Sequence, residues 1–200
     1  MDDEFVNLGL SVKWATCNVG AYNPEEYGNY YAWGETTIKD FYEWRTYKYC
    51  VYGGDEDPDL LTKYCYDSSE GYNGYTDDKT ILDLSDDAAY VNWGEDWRIP
   101  TADEWNELLD IENCTWTKTT INSIVGYIVT SKINGNSIFL PCAGWKYDDP
   151  PYDRNGFGYY WSSTLYESYT FNAWYALLLG TKVGNYSRCR GMSIRLVRRY

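Results

Sequence analysis

The residues best suited to chemistry lie close together near the C-terminal end: Tyr166, Tyr169, Phe171, Trp174, Tyr175, Leu177, Asn185, Tyr186, Ser187, Cys189 and Arg190. Aromatic rings with polar tips, a guanidinium, an amide and small hydroxyls stack, hydrogen-bond and pair with charge. That is the chemistry of recognition rather than of bond cleavage. The chain has no His, and Cys17, Cys50, Cys65, Cys114, Cys142 and Cys189 form no CxxC pair. Zinc centres and His-based acid–base catalysis are therefore poorly supported. Two-carboxylate glycoside chemistry needs a chosen pair, and no motif selects one among the 30 acids. The expectation is a ligand-binding protein, not an enzyme, with no catalytic residues.

The elements that would position these side chains follow from period. Ala173, Tyr175, Leu177 and Leu179 share one face of an extended chain, and Trp174, Ala176 and Leu178 share the other. Gly184 to Gly191 has no period and reads as a loop. Ser193 to Arg198 reads as a half-buried strand, with Ile194 and Leu196 inward and Arg195 and Arg198 outward. Tyr160-Trp161-Ser162-Ser163 opens the stretch as a rigid aromatic turn. The region 156–198 is thus expected to display a binding surface that the upstream chain holds still.

Bulk composition narrows the classes. Two hundred residues suit one domain, 1–200, with a core burying roughly 70% of the unfolded surface. No run of about 18 apolar residues exists, so membrane insertion is not expected. Met1-Asp2-Asp3-Glu4 lacks a signal-peptide pattern. Net charge is −13, yet from Arg154 onward there are seven basic groups against Glu167 alone. These either pair with the acidic body or favour an anionic partner, while the acidic body argues against nucleic acid. The 23 Tyr and 10 Trp serve either a loop-rich core or a contact surface.

Upstream, Phe5 to Cys17 reads as extended chain with one apolar face through Val6, Leu8, Leu10, Val12 and Trp14. Residues 35–85 are mostly irregular, polar and rich in Asp, Gly and Tyr. Asp55, Asp57, Asp59, Asp77, Asp78 and Asp83 are either solvated loop carboxylates and caps or ligands of a structural calcium; no other cofactor is expected. Cys50 and Cys65 bracket part of this loop, so a local disulfide is one option. Ser85 to Trp93 predicts a short helix capped by Ser85 and stopped at Gly94. Thr101-Ala-Asp-Glu104 is a capping box, and Trp105, Leu108, Leu109 and Ile111 form the stripe of a helix over 102–112. Ile124 to Ser131 and Ser137 to Pro141, joined through Asn134-Gly135, form the clearest hairpin. Strand, long loops, two helices and then hairpins make this α+β.

Several segments together resemble one family. Phe5-Val-Asn-Leu-Gly-Leu-Ser-Val-Lys-Trp-Ala-Thr-Cys-Asn-Val-Gly20, Tyr27-Gly-Asn-Tyr-Tyr-Ala-Trp-Gly-Glu-Thr-Thr37, Trp97-Arg-Ile-Pro-Thr-Ala-Asp-Glu-Trp105, Ile138-Phe-Leu-Pro-Cys-Ala-Gly144 and Gly158-Tyr-Tyr-Trp-Ser-Ser163 resemble the Fibrobacter succinogenes major paralogous domain family. That resemblance implies a C-type-lectin-like fold of the formylglycine-generating-enzyme branch. Two helices would then lie against mixed and antiparallel sheets, with N- and C-terminal strands paired. The C-terminal end also resembles the variable proteins of bacterial or phage diversity-generating retroelements, which randomise template adenines. An AAC or AAT codon reaches Tyr, Phe, Leu, Asn, Ser, Cys and Arg, which suits Tyr166, Tyr169, Phe171, Tyr175, Leu177, Asn185, Tyr186, Ser187, Cys189 and Arg190. Trp174, Glu167, Lys182 and Met192 fall outside that codon class. The resemblance implies a protein or glycan ligand and a cell-surface or virion location. Its alternatives are an adhesin of fixed carbohydrate specificity and, further off, a formylglycine-generating oxidase. The oxidase family's cysteine pair is not reproduced around Cys189.

Overall fold

The computed structural model describes residues 5–54, 59–178 and 182–200. The chain begins with β1 (Phe5–Asn7), turns, and returns as β2 (Lys13–Asn18). Leu8, Leu10 and Val12 on the turn are buried beside Trp14, so the expected single extended segment is broken by a bend that still buries its apolar residues. From residue 19 to 87 regular structure is scarce: single 3-10 turns and the two-residue strands β3 (Cys50–Val51) and β4 (Leu60–Leu61). Helices α1 (Ala88–Trp93) and α2 (Ala102–Leu109) follow. Then come β5 (Cys114–Ile121), β6 (Ile124–Ser131) and β7 (Ser137–Pro141), an antiparallel sheet in that order. A second antiparallel sheet contains β8 (Tyr159–Leu165), β9 (Asn172–Leu177) and β10 (Lys182–Ser187) in the order β10-β9-β8. Last, β11 (Arg195–Arg198) pairs antiparallel with β2, giving the sheet β1-β2-β11. The class is α+β, and strands from the two ends of the chain share a sheet.

Local chemistry explains the helix ends. Thr101 Oγ1 accepts from Glu104 N at 3.2 Å while Glu104 Oε2 accepts from Thr101 N at 2.8 Å, the reciprocal pair expected of that spacing. Helix α2 stops at Leu109, short of the expected 112. Asp110 then supports a turn, and Ile111 is exposed instead of completing the apolar stripe. Helix α1 is capped by Asp87, whose Oδ1 accepts from Ala89 and Tyr90, and not by Ser85, which lies in a preceding 3-10 turn. Asp87 is a carboxylate closed off from water, and that burial raises its pKa to about 6.

Two buried arginines join distant segments. Arg195 was expected to point outward; it is fully buried and donates to Asn18 Oδ1, Ala15 O, Thr16 O and Phe139 O. The bulge between Arg195 and Val197 breaks the alternation that placed it outside. Arg188, also fully buried, donates to Tyr47 Oη, Lys63 O, Tyr64 O and Thr170 O and lies over the Trp33 and Tyr47 rings. Neutral acceptors, mostly carbonyl oxygens, surround both guanidiniums, and neither arginine joins an ion pair among the described residues. Two of the basic groups near the C-terminus belong to the framework and not to a surface.

Candidate ligand-binding face

One side of the sheet β10-β9-β8 packs on α2, and the other buries Trp161, Leu165 and Ala173 in a second core. Tyr160 on β8, Ala176 on β9 and Val183 on β10 share a core with Trp105 and Leu108 of α2. The other side carries Tyr159, Tyr175 and Tyr186, placed together by the register Tyr159↔Leu177, Gly184↔Tyr175 and Tyr186↔Ala173. Tyr175 stands 5.6 Å from Tyr159 and 6.3 Å from Tyr186 between ring centroids. Tyr186 continues to Trp145 at 5.8 Å, which stacks on Tyr152 at 4.8 Å with 17° between planes. Asp153 Oδ2 accepts from Trp145 Nε1 and from Tyr159 Oη, tying two members of this row to one carboxylate. Burial and the nearby Asp153 push the Tyr159 phenol well above its usual pKa, and burial also raises that of Tyr175. Both hydroxyls stay protonated across the physiological range and remain donors.

Gly184 leaves room for the Tyr175 ring in the row. A Cβ on it would lie 3.0 Å from Tyr175 Cε1 and Oη, so the bare backbone lets that ring lie close across β10 where a side chain would make it shift. The stretch expected to be a loop is therefore a strand as far as Ser187. Pairing with β9 decides the conformation, and the missing alternation reflects an edge strand whose residues serve unlike neighbours.

The structure separates the sequence-predicted residues into groups. Tyr175, Leu177 and Tyr186 share the aromatic side, and Arg190 adjoins it, its guanidinium 5.7 Å from the Trp145 ring. Tyr169 and Phe171 end the β8–β9 connection, 5.5 Å apart, and Trp44 meets Phe171 edge-on at 5.1 Å. Trp174 and Asn185 are a directly opposed pair on α2's side of the sheet. Tyr166 packs against Trp174 at 5.0 Å, so these three are not part of the same face as Tyr175. Ser187 also has the parity of Asn185, and its Oγ lies 3.3 Å from Cys189 Sγ. Cys189, expected among the ligand-binding residues, is 1% exposed, so its thiol cannot present itself to a ligand, and burial raises its pKa. Leu179 lies outside the described residues. Sequence reasoning missed Trp145, Tyr152, Asp153 and Tyr159 as site members. The available signal was the pair of aromatic residues flanking the Asp- and Pro-rich turn 146–151.

Arg190 also borders a hollow of about 330 Å³ together with Trp44, Arg45, Glu43, Asp59 and Tyr147. Of its lining, Arg190 touches the Trp145 ring and Trp44 the Phe171 ring. The other loop carboxylates have structural work. Asp77 accepts from Tyr64 N and Cys65 N, Asp83 pairs with Lys63 and Lys79, and Asp86 takes Lys63 and Tyr64 Oη. Among the described residues no three Cys, Asp or Glu gather as metal ligands; Asp55 and Asp57 lie outside them. Cys50 and Cys65 are both free thiols, so the local disulfide is not formed. No helix among the described residues is long and apolar enough to cross a membrane. Compared with family models, curated proteins and solved structures, the chain matches none.

Proposed function

We propose that the protein is a non-catalytic binding protein that presents the Tyr159–Tyr175–Tyr186–Trp145–Tyr152 row to a ligand. One observation carries this reading. A row of partly exposed rings lies on the sheet face opposite α2, beside the buried Trp161, Leu165 and Ala173, and its members are fixed by mutual contacts and by Asp153. Stiff, amphipathic side chains on strands give contact area at low entropic cost. Binding energy in such surfaces concentrates in a few central aromatics and arginines.

The proposal includes a C-type-lectin-like scaffold whose residues 156–198 are diversified through a retroelement and displayed at a cell or virion surface. Pairing of β11 with β2 supports the scaffold. The diversified set on the binding side is then Tyr175, Leu177, Tyr186 and Arg190, with Tyr169 and Phe171 beside it. A carbohydrate adhesin of fixed specificity is the second reading, favoured by the flat Trp145–Tyr152 stack, whose Tyr152 is exposed. The oxidase reading loses ground because Cys189 is buried and held as a thiol.

Replacing Tyr175 and Tyr186 with Ala tests the reading on a glycan array and on a displayed peptide and protein library. Preserved melting with binding weakened roughly thirtyfold or more is expected for hot-spot aromatics. Unchanged binding in both formats refutes it. A near-copy of the gene's 3′ end beside a reverse transcriptase, differing only at adenines, is expected if the surface is diversified. Its absence favours the fixed adhesin.

A further inference from the structure

Arg190 is held in place more firmly than a surface arginine usually is. Its Nη1 donates to Tyr42 O at 3.0 Å, and its guanidinium lies 4.6 Å from the Tyr147 ring and 5.7 Å from the Trp145 ring. Tyr147 is itself fixed by donating its hydroxyl to Glu43 Oε2 at 2.8 Å. The next residue, Gly191, sits so close to the Tyr42 ring that a Cβ would meet it at 2.9 Å. The Nε and Nη2 hydrogens of Arg190 have no partner among the described residues, and Arg190 joins no ion pair there.

The hollow bordered by this guanidinium has its own charges mostly engaged. Glu43 Oε1 accepts from Arg45 Nη2 at 2.7 Å and from Arg45 Nε at 3.0 Å, and Asp59 Oδ1 accepts from Gly53 N at 3.2 Å. The Tyr147 hydroxyl and Arg45 hold the Glu43 carboxyl below its usual pKa, so it stays charged. Glu43 and Asp59 repel any anion there, a dianion more than a monoanion. A single carboxylate would meet the free edge of a rigid guanidinium, whose two parallel N–H groups match two oxygens.

We propose that this hollow takes a carboxylate on a short stem from the ligand, paired in two-point fashion with Arg190 and with its stem between Trp44 and Tyr147. An acidic side chain or a chain-terminal carboxylate of a polypeptide has this chemistry. The inference rests on the aromatic row as the binding surface, because Arg190, which borders the hollow, lies against the Trp145 ring of that row. It assigns Arg190 a different role from Arg188, two positions earlier, which is wholly structural.

The test is an NMR titration of ¹⁵N-labelled full chain with benzoate, benzamide, inorganic phosphate and p-cresol, in wild type, R190Q and R190K. Benzoate is expected to shift the indole N–H signals of Trp44 and Trp145, with benzamide weaker by about tenfold, the worth of one charge-assisted pair. R190Q erases the difference, and R190K, which keeps the charge but not the fork, recovers only part of it. Equal binding of benzoate and benzamide overturns the proposal, as does a preference that survives R190Q or phosphate binding tighter than benzoate. If p-cresol shifts Tyr175 and Tyr186 while benzoate shows no preference, the carboxylate site fails and the aromatic face stands. If neither probe perturbs these residues, both fail.

Discussion

Removing the Arg188 guanidinium separates framework from display. In R188M the apolar stem remains, but the hydroxyl of Tyr47 and the carbonyls of Lys63, Tyr64 and Thr170 lose a buried donor at 2.8–3.0 Å. Each buried acceptor left unpaired costs about 1–3 kcal/mol, but relaxation and water entry prevent simple addition. With four such acceptors and partial relaxation, the net loss is about 3–5 kcal/mol. For a chain of this length that lowers the melting temperature by roughly 6–20 °C. R188K keeps the charge but offers a single ammonium where the planar fork spans three segments, so a loss of at least about 2 kcal/mol is expected. Urea unfolding followed by tryptophan fluorescence reads the change, with an unchanged slope confirming that the effect is on stability. An R188M midpoint equivalent to less than about 1 kcal/mol of change would refute the reasoning. It would mean that the loops around residues 47, 63 and 170 are held by other contacts.

Three further outcomes follow from the same contacts. G184V should displace the Tyr175 ring and weaken ligand binding as much as Y175A, although residue 184 itself offers no ring; chemical shifts of Tyr159 and Tyr186 would report the displacement, and unchanged shifts would count against it. Burial opposes ionisation of Asp86, but hydrogen bonds from Lys63, Tyr49, Tyr64 and Lys48 outweigh it and hold the group at about 2, below the ordinary 3.8. The Asp86 contribution is therefore fully present above about pH 4 and lost as pH falls toward 2. The stability gap between wild type and D86N, about 2–3 kcal/mol near neutrality, should close over that range. Asp87 acts in the opposite sense, since its folded pKa near 6 favours the native state as it takes up a proton below that pH. All six thiols are free, five are buried, and burial raises Cys50 to about 12, so native protein should resist a disulfide reagent that labels every cysteine once urea is added.

Some of this architecture was legible in the residues. Thr101 and Glu104 announced the start of α2 because a capping box is a local bargain that needs no distant partner. The alternation through Ala173 to Leu178 placed Trp174 and Tyr175 on opposite faces, as the register has them. What could not be read depended on distant neighbours. Arg195 and Arg188 look like surface charges until backbone carbonyls from remote segments surround them. β10 has no apolar period, since its conformation follows from pairing with β9 and from the Tyr175 ring over Gly184. The same alternation that predicted β9 also required that Tyr175 and Trp174 could not serve one surface, which splits the sequence-predicted residues between two sides of the sheet.

The most direct measurement compares two tyrosines on those two sides. Tyr186 is exposed in the aromatic row, whereas Tyr166 packs on Trp174 across the sheet. Wild type, Y186A and Y166A probed on the same glycan and peptide arrays should show every bound feature lost in Y186A and kept in Y166A. Features kept in Y186A and lost in Y166A would place recognition on the α2 side and contradict the account.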